Sequence, residues 1–112
     1  MDSNKVEVPG CKGTTVQELY STKGIQVMKV NVASGGEIPL HKHNCAATMV
    51  IIEGEAKTLG NLERLVKKGD VVTKLSKEPH GFSDIHKPFS FISISYDDGI
   101  MKSLTGWDMD YL

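Results

Sequence analysis

Apolar and polar residues alternate along much of the chain with a period of two. Residues 25–32 place Met28, Val30 and Val32 on one face and polar side chains on the other. This alternation is typical of a β-strand with one face buried and one face in water. The hydrophobic pattern therefore predicts a strand here.

Further strand-like runs follow at intervals of about ten residues, separated by glycine-containing turns. The residues Glu53-Gly54-Glu55 divide one apolar stretch in two and predict a tight hairpin. Strong helical periodicity is absent from the sequence before residue 98. Regularly spaced short strands of this kind predict an all-β sandwich or barrel.

The two ends and the last strand carry more specific expectations. Residues 14–21 read as an edge strand, and residues 99–112 read as a short irregular or helical tail packed on the barrel. Residues 89–96 read as a late strand whose apolar phase switches between Phe91 and Ile92. A phase switch of this kind predicts a bulge or a twist.

Length and charge narrow the class of protein. The 112 residues fit one domain, residues 1–112. A net charge of −1 and the lack of a long basic run argue against nucleic-acid and membrane-surface partners. The polar N-terminus does not resemble a signal peptide, and two cysteines do not form a disulfide framework, so we expect a cytoplasmic protein.

His41 and His43 supply the first candidate chemistry. Residues two apart on a strand point to the same face, so their imidazoles can lean together toward one metal ion. Such a pair also occurs on solvated strands and is a weak signal alone. His80 follows Pro79 after a later turn and strand, and a barrel can bring it beside the first two.

With these residues the sequence resembles the cupins, small jelly-roll barrels. Their first motif is glycine, five residues, His-x-His, three or four residues, glutamate, six residues and glycine. Gly35, His41, His43 and Gly54 match it, and Ala47 stands at the glutamate position.

The second cupin motif is matched less fully. Gly69 and His80 occupy its glycine and histidine positions, whereas Leu75, Lys77 and Asp84 replace its proline, second glycine and asparagine. The resemblance covers residues 24–97, which we take as the barrel core.

The resemblance implies metal ligands at His41, His43 and His80. It implies no carboxylate ligand, because the Ala47 side chain has no donor atom. Three neutral ligands leave the +2 charge of a divalent transition metal uncompensated and a coordination position open, as in catalytic sites. Zn, Fe, Ni, Mn and Cu are not distinguished by these residues.

Several other residues are candidates for the pocket or for contacts with the ligands. Cys45 is either a soft fourth ligand or a small buried residue. Asp84 and His86 either orient a ligand histidine or lie in a solvated turn. The pocket candidates are completed by Ala47, Met49 and Tyr96.

Two functions follow from the resemblance. The first is a metalloenzyme acting on a small organic molecule, of the dioxygenase, isomerase or lyase type. The second is a non-catalytic module that binds a small ligand or a metal. A homodimer is also expected, formed through the edge strand at residues 14–21.

Overall fold

A computed structural model describes residues 5–22, 24–42, 46–61, 63–75, 77–96 and 110–111. These ranges form ten strands: β1 Lys5–Glu7, β2 Lys12–Thr22, β3 Ile25–Lys42, β4 Ala46–Glu53, β5 Glu55–Gly60, β6 Leu65–Lys67, β7 Val71–Lys74, β8 His80–Ser83, β9 Phe89–Tyr96 and β10 Asp110–Tyr111. They contain no helix, so the all-β prediction is confirmed. Within them, no helix is long and apolar enough to cross a membrane.

The strand β3 organises the fold because it belongs to both layers. Its first half pairs with β2 and β9, and β9 continues the first layer through β4 to β7. Its second half pairs with β8, which continues the second layer through β5 to β6. All these pairs are antiparallel. The sheet therefore curls over on itself into the jelly-roll barrel that was predicted.

The core lies between the two layers. Alternate residues are buried from Gln26 to Val32 in β3 and from Ala47 to Ile51 in β4. Phe82 from the second layer contacts Phe89 and Phe91 from the first, with ring centroids 5.2 and 5.1 Å apart. These aromatic contacts join the two layers.

The predicted hairpin at Glu53-Gly54-Glu55 is wrong. β4 pairs with β7 and β9, whereas β5 pairs with β6 and β8, so the turn carries the chain from one layer to the other. Gly54 has a φ of 80°, and a Cβ there would collide with the carbonyl oxygen of Pro88. Local sequence marked the turn correctly, but strand pairing is decided by the whole sheet.

The predicted bulge in β9 is also not found there. β9 pairs with β3 in unbroken register, and the register shift lies in β4, between Ile51 and Glu53. The apolar phase switches because Ser93 and Ser95 face the interior, where they are 8% and 5% exposed. One end of the barrel interior is therefore polar.

The predicted C-terminal tail is described in part. Residues 97–109 lie outside the described ranges, and Asp110–Tyr111 form β10, which pairs with Lys42 and His41. The end of the chain thus contributes a strand beside His41.

Candidate metal centre

A bulge in β3 turns His41 into the barrel. Ile38 pairs with Phe82 and His41 pairs with His80, so three steps along β3 match two along β8. On a regular strand, residue 40 rather than 41 would share the buried face of Ile38. The extra residue reverses this, which is a common use of bulges near functional sites.

Gly81 leaves room for this bulge. A Cβ at Gly81 would lie 2.5 Å from the carbonyl oxygen of Ile38 and 2.9 Å from that of Pro39. Such contacts are too short for any side chain. The absence of a side chain at this position lets β8 approach the bulge and holds His80 opposite His41.

His41 and His80 form a buried pair. Their ring centroids are 4.4 Å apart, and the residues are 3% and 6% exposed. The Nδ1 atom of His41 lies 2.7 Å from the carbonyl oxygen of Pro39, and that of His80 lies 2.9 Å from the carbonyl oxygen of Glu78. A carbonyl only accepts, so each Nδ1 donates a proton and each neutral ring carries its lone pair on Nε2. This is the arrangement in which a histidine binds metal.

Burial also keeps both rings neutral. Desolvation, followed by the charge of His80, lowers the pKa of His41 to about 4, against the opposing hydrogen bond to Pro39. Desolvation likewise lowers the pKa of His80, with a smaller opposing effect from its hydrogen bond to Glu78. At neutral pH the pair therefore has the protonation state that metal binding needs.

The opposite wall of the site comes from the first layer. Three residues, 43–45, join β3 to β4, so the start of β4 lies at the same end of the barrel as His41. The strand register aligns one row of buried residues across this end: Gln26, Ser95, Ala47 and Lys74. Met49, also buried, lies one row deeper on the same face of β4.

Known structures share this architecture. The polyketide cyclase RemF from Streptomyces resistomycificus superposes with a TM-score of 0.73 at 20% identity, over 86% of this chain and 76% of that one. A predicted oxalate decarboxylase from Thermotoga maritima gives 0.72 at 22% identity, over 86% and 96%. A cupin-2 domain protein from Rhodospirillum rubrum gives 0.71 at 24% identity, over 82% of this chain and 65% of that one. The protein has the cupin fold.

No family model and no curated protein sequence matches the chain. The structural likeness, at these low identities, establishes the barrel and not its chemistry. The cupin resemblance seen in the histidine and glycine spacing is thus confirmed for the fold. The chemistry of the site depends on the residues that line it.

The cupin barrel brings two of the three predicted ligands together. His43 and Cys45 lie outside the described residues, so the three-histidine set stays a prediction. Within the described ranges, no three His, Cys, Asp or Glu residues form a group that could hold a metal ion. A third protein ligand for His41 and His80 would therefore have to come from outside the described ranges, where His43 and Cys45 lie.

Asp84 and His86 lie away from the histidine pair. They follow the far end of β8, so Asp84 is about 13 Å along an extended strand from His80. Both are exposed and line a cleft of about 640 Å³ together with Lys67 and Lys87. Tyr96 ends β9 opposite Ile25 and Ala46, at the site end of the barrel.

Sequence reasoning missed Tyr111. Its ring centroid is 5.9 Å from that of His41, and its hydroxyl donates to the carbonyl oxygen of Pro9 at 2.6 Å. The hydroxyl also lies 3.3 Å from the Cys11 Sγ, and burial, then this contact, raises the pKa of Tyr111. No motif marks the residue, because its position depends on β10 returning beside β3.

Sequence reasoning also missed Lys74 and Gln26. Lysine and glutamine normally lie on the solvent-facing side of a strand, yet Lys74 is 6% exposed and Gln26 is 4% exposed. The alternation of β7, with Val72 and Lys74 on one face, was the signal that could have found the lysine.

Proposed function

We propose that the protein is a metal-binding cupin whose ligands are His41, His43 and His80. The ion would be a divalent transition metal, and the loaded site would act on a small organic molecule. The observation that supports this most is the tautomer of the buried pair. Both Nδ1 atoms donate to backbone carbonyls, so both Nε2 atoms have the metal-binding form.

The chain's own residues would do the positioning. The carbonyls of Pro39 and Glu78 fix the two ring orientations, and the surrounding layers exclude water from the pair. Ala47 adds no negative charge, so a site of neutral donors would attract an anionic group of the substrate. A bound divalent ion would supply Lewis-acid chemistry or activation of water or oxygen.

The reaction type is proposed only as a class. A polyketide cyclase and a predicted oxalate decarboxylase have the same fold, so the barrel alone does not select a reaction. An open metal position is compatible with dioxygenase, isomerase or lyase chemistry.

Zinc titration of chelator-treated protein tests the metal site. We expect binding of one ion. The affinity should fall at least about a hundredfold in His41→Ala, His43→Ala and His80→Ala, because each variant loses an imidazole that would bind the ion directly. His86→Ala removes an exposed histidine and serves as the matched control. Zinc binding that survives in His41→Ala and His80→Ala would rule out this site.

A non-catalytic binding module is the second candidate. It is favoured by the wall facing the histidines, where Ala47 replaces an acid and Met49 and Val72 add apolar surface. Assay of the metal-loaded protein against small carboxylates, sugars and thiols separates the two functions. Turnover lost in His43→Ala supports the enzyme, and tight binding without turnover supports the module.

We also propose a homodimer through the outer edge of β2. In the part of the chain that the structure describes, β1 pairs with Thr15, Val16 and Gln17, and Leu19 and Tyr20 farther along β2 are exposed. A second copy pairing along this edge would cover both side chains. Sedimentation should show a dimer that Leu19→Lys weakens, and a wild-type monomer at micromolar concentration would contradict the proposal.

A further inference from the structure

Lys74 is a cation inside the barrel. β7 alternates, with Val71 and Thr73 exposed and Val72 and Lys74 buried, so the lysine shares the interior face with a core valine. Its side chain is 8% exposed. Lysine is almost never buried to this degree unless it is paired. The position therefore needs an explanation beyond the packing of the sheet.

Glu78 supplies only part of the explanation. Its Oε2 atom lies 3.5 Å from the Lys74 ammonium, while its Oε1 atom accepts the backbone amide of Leu75 at 2.9 Å. The carboxylate is thus shared, and the Glu78 side chain is 25% exposed and partly in water. An ammonium has three N–H donors, and one carboxylate oxygen at 3.5 Å can accept from only one of them.

Ala47 lies beside this ammonium. It is the direct register partner of Lys74, and both side chains face the interior. The Ala47 methyl group is short and uncharged, so it neither pairs with the ammonium nor obstructs an anion that approaches it.

Gln26 provides an independent sign of a ligand at the same end. It is 4% exposed, and its Nε2 donates to Glu18 Oε1 at 3.0 Å. Its Oε1 is the one buried side-chain oxygen or nitrogen, among the described residues, without a hydrogen-bond partner. Such an orphaned acceptor destabilises the folded protein unless a donor reaches it. Gln26 lies on the interior face of β3, in the row that contains Lys74.

The row is long enough for the two ends of one molecule. Gln26 and Lys74 lie on the outer strands of a four-strand row, β3-β9-β4-β7, so their Cα atoms are about 14 Å apart at the usual strand spacing. Both side chains extend inward from the wall and shorten the gap. The buried Ser95 and the small Ala47 lie between them.

We propose that Lys74 and Gln26 form a recognition site for a small hydroxylated organic acid. The Lys74 ammonium pairs with its carboxylate, and Gln26 Oε1 accepts a hydrogen bond from a hydroxyl at its other end. The inference rests on the proposed function, because it assigns the substrate class of the site that His41 and His80 face. It adds a determinant of specificity on the wall opposite the histidines.

Calorimetric titration with matched probes tests the recognition site. The probes are linear ω-hydroxy acids from glycolate to 6-hydroxyhexanoate, the same acids without the hydroxyl, and the corresponding ω-hydroxyamides without the charge. We expect at least one hydroxy acid to bind about tenfold or more tightly than its amide, because a charged hydrogen bond is lost in the amide. Equal binding of acid and amide, or no binding of any acid, overturns the proposal. This comparison uses the wild-type protein and does not depend on any variant folding.

Variants then assign the contacts. Lys74→Met should weaken the best acid about tenfold or more, Lys74→Arg should stay within about threefold, and Gln26→Leu should abolish the preference for the hydroxylated acid. Lys57→Met is the matched control, because Lys57 pairs with Glu63 at 3.3 Å outside the barrel and is 40% exposed. Wild-type affinity in Lys74→Met would show that the lysine is only structural.

Each titration is run on zinc-loaded and zinc-free protein, which separates the two proposals. Acid binding that depends on Lys74 in a protein that binds no zinc would overturn the metal centre and leave the recognition site in place. Zinc binding that is equal in wild type and Lys74→Met, without binding of any acid, would overturn the recognition site alone.

Discussion

The two ends of the barrel interior are equally buried and chemically opposite. At one end Phe82, Phe89 and Phe91 are 0% to 4% exposed and contact one another. At the other end His41 and His80 are just as inaccessible. Burial stabilises the aromatic end, whereas at the histidine end it costs free energy unless each polar group finds a partner. The aromatic end can therefore supply the stability that lets the other end hold chemistry.

The largest expected effect is at the aromatic end. Phe89→Ala should lower the free energy of unfolding by about 3–5 kcal/mol, because it removes a fully buried ring and leaves a cavity. Urea denaturation measures the change. Ser93→Ala, in the polar half of the same strand, should cost about 1 kcal/mol or less.

Phe89→Leu provides a milder form of the same experiment if the alanine variant does not fold. Equal losses in Phe89→Ala and Ser93→Ala would mean that stability is spread evenly along the barrel and is not concentrated at its aromatic end.

The next effect concerns pH and the histidine end. His41 has an unfolded pKa near 6.5 and a folded pKa of about 4, so the unfolded chain binds more protons in this range. Stability is therefore full above about pH 6.5 and is lost as the pH falls toward about 4, by roughly 3 kcal/mol from this residue.

Urea titrations of zinc-free protein at neutral pH and near pH 4 measure this loss. His41→Gln should lose less stability over the same interval, because it has no group to protonate. His86→Gln, which changes an exposed histidine, should follow the wild type. An unchanged pH response in His41→Gln would mean that other groups cause the acid loss.

Much of the histidine end could be anticipated from sequence, and its facing wall could not. The spacing around His41 and His80 follows the cupin motifs, and the structure places the two rings in contact. The buried Lys74 was not anticipated because lysine on a strand ordinarily faces water, although the alternation that puts Val72 and Lys74 on one face of β7 indicated it. The bulge predicted in β9 is absent for a similar reason, because Ser93 and Ser95 face the interior where the pattern has polar residues.

Gly81→Ala tests how the two histidines are held together. Its Cβ would meet the backbone oxygens of Ile38 and Pro39, which cannot move without shifting the bulge. We expect a loss of about 1–3 kcal/mol in unfolding free energy and a weaker zinc affinity, because His41 and His80 are pushed apart. Gly69→Ala is the control for adding a methyl group, since its Cβ would meet no atom within 4 Å, although its φ of 96° adds backbone strain. Unchanged zinc affinity in Gly81→Ala would show that the bulge does not position the pair.

The smallest expected effect is a gain in the loop that leads into His80. Lys77 has a φ of 66° in the left-handed region and occupies the position where the cupin motif has glycine. A non-glycine residue in this conformation destabilises the folded state by roughly 1 kcal/mol. Glycine removes this strain, but it also makes the unfolded chain more flexible, which cancels part of the gain. Lys77→Gly should therefore raise the free energy of unfolding by about 0.5 kcal/mol, seen as a higher thermal midpoint. Lys68 lies in an exposed turn without this backbone strain, so Lys68→Gly should instead lower the free energy of unfolding. The same gain in both variants would mean that strain at residue 77 is not its cause.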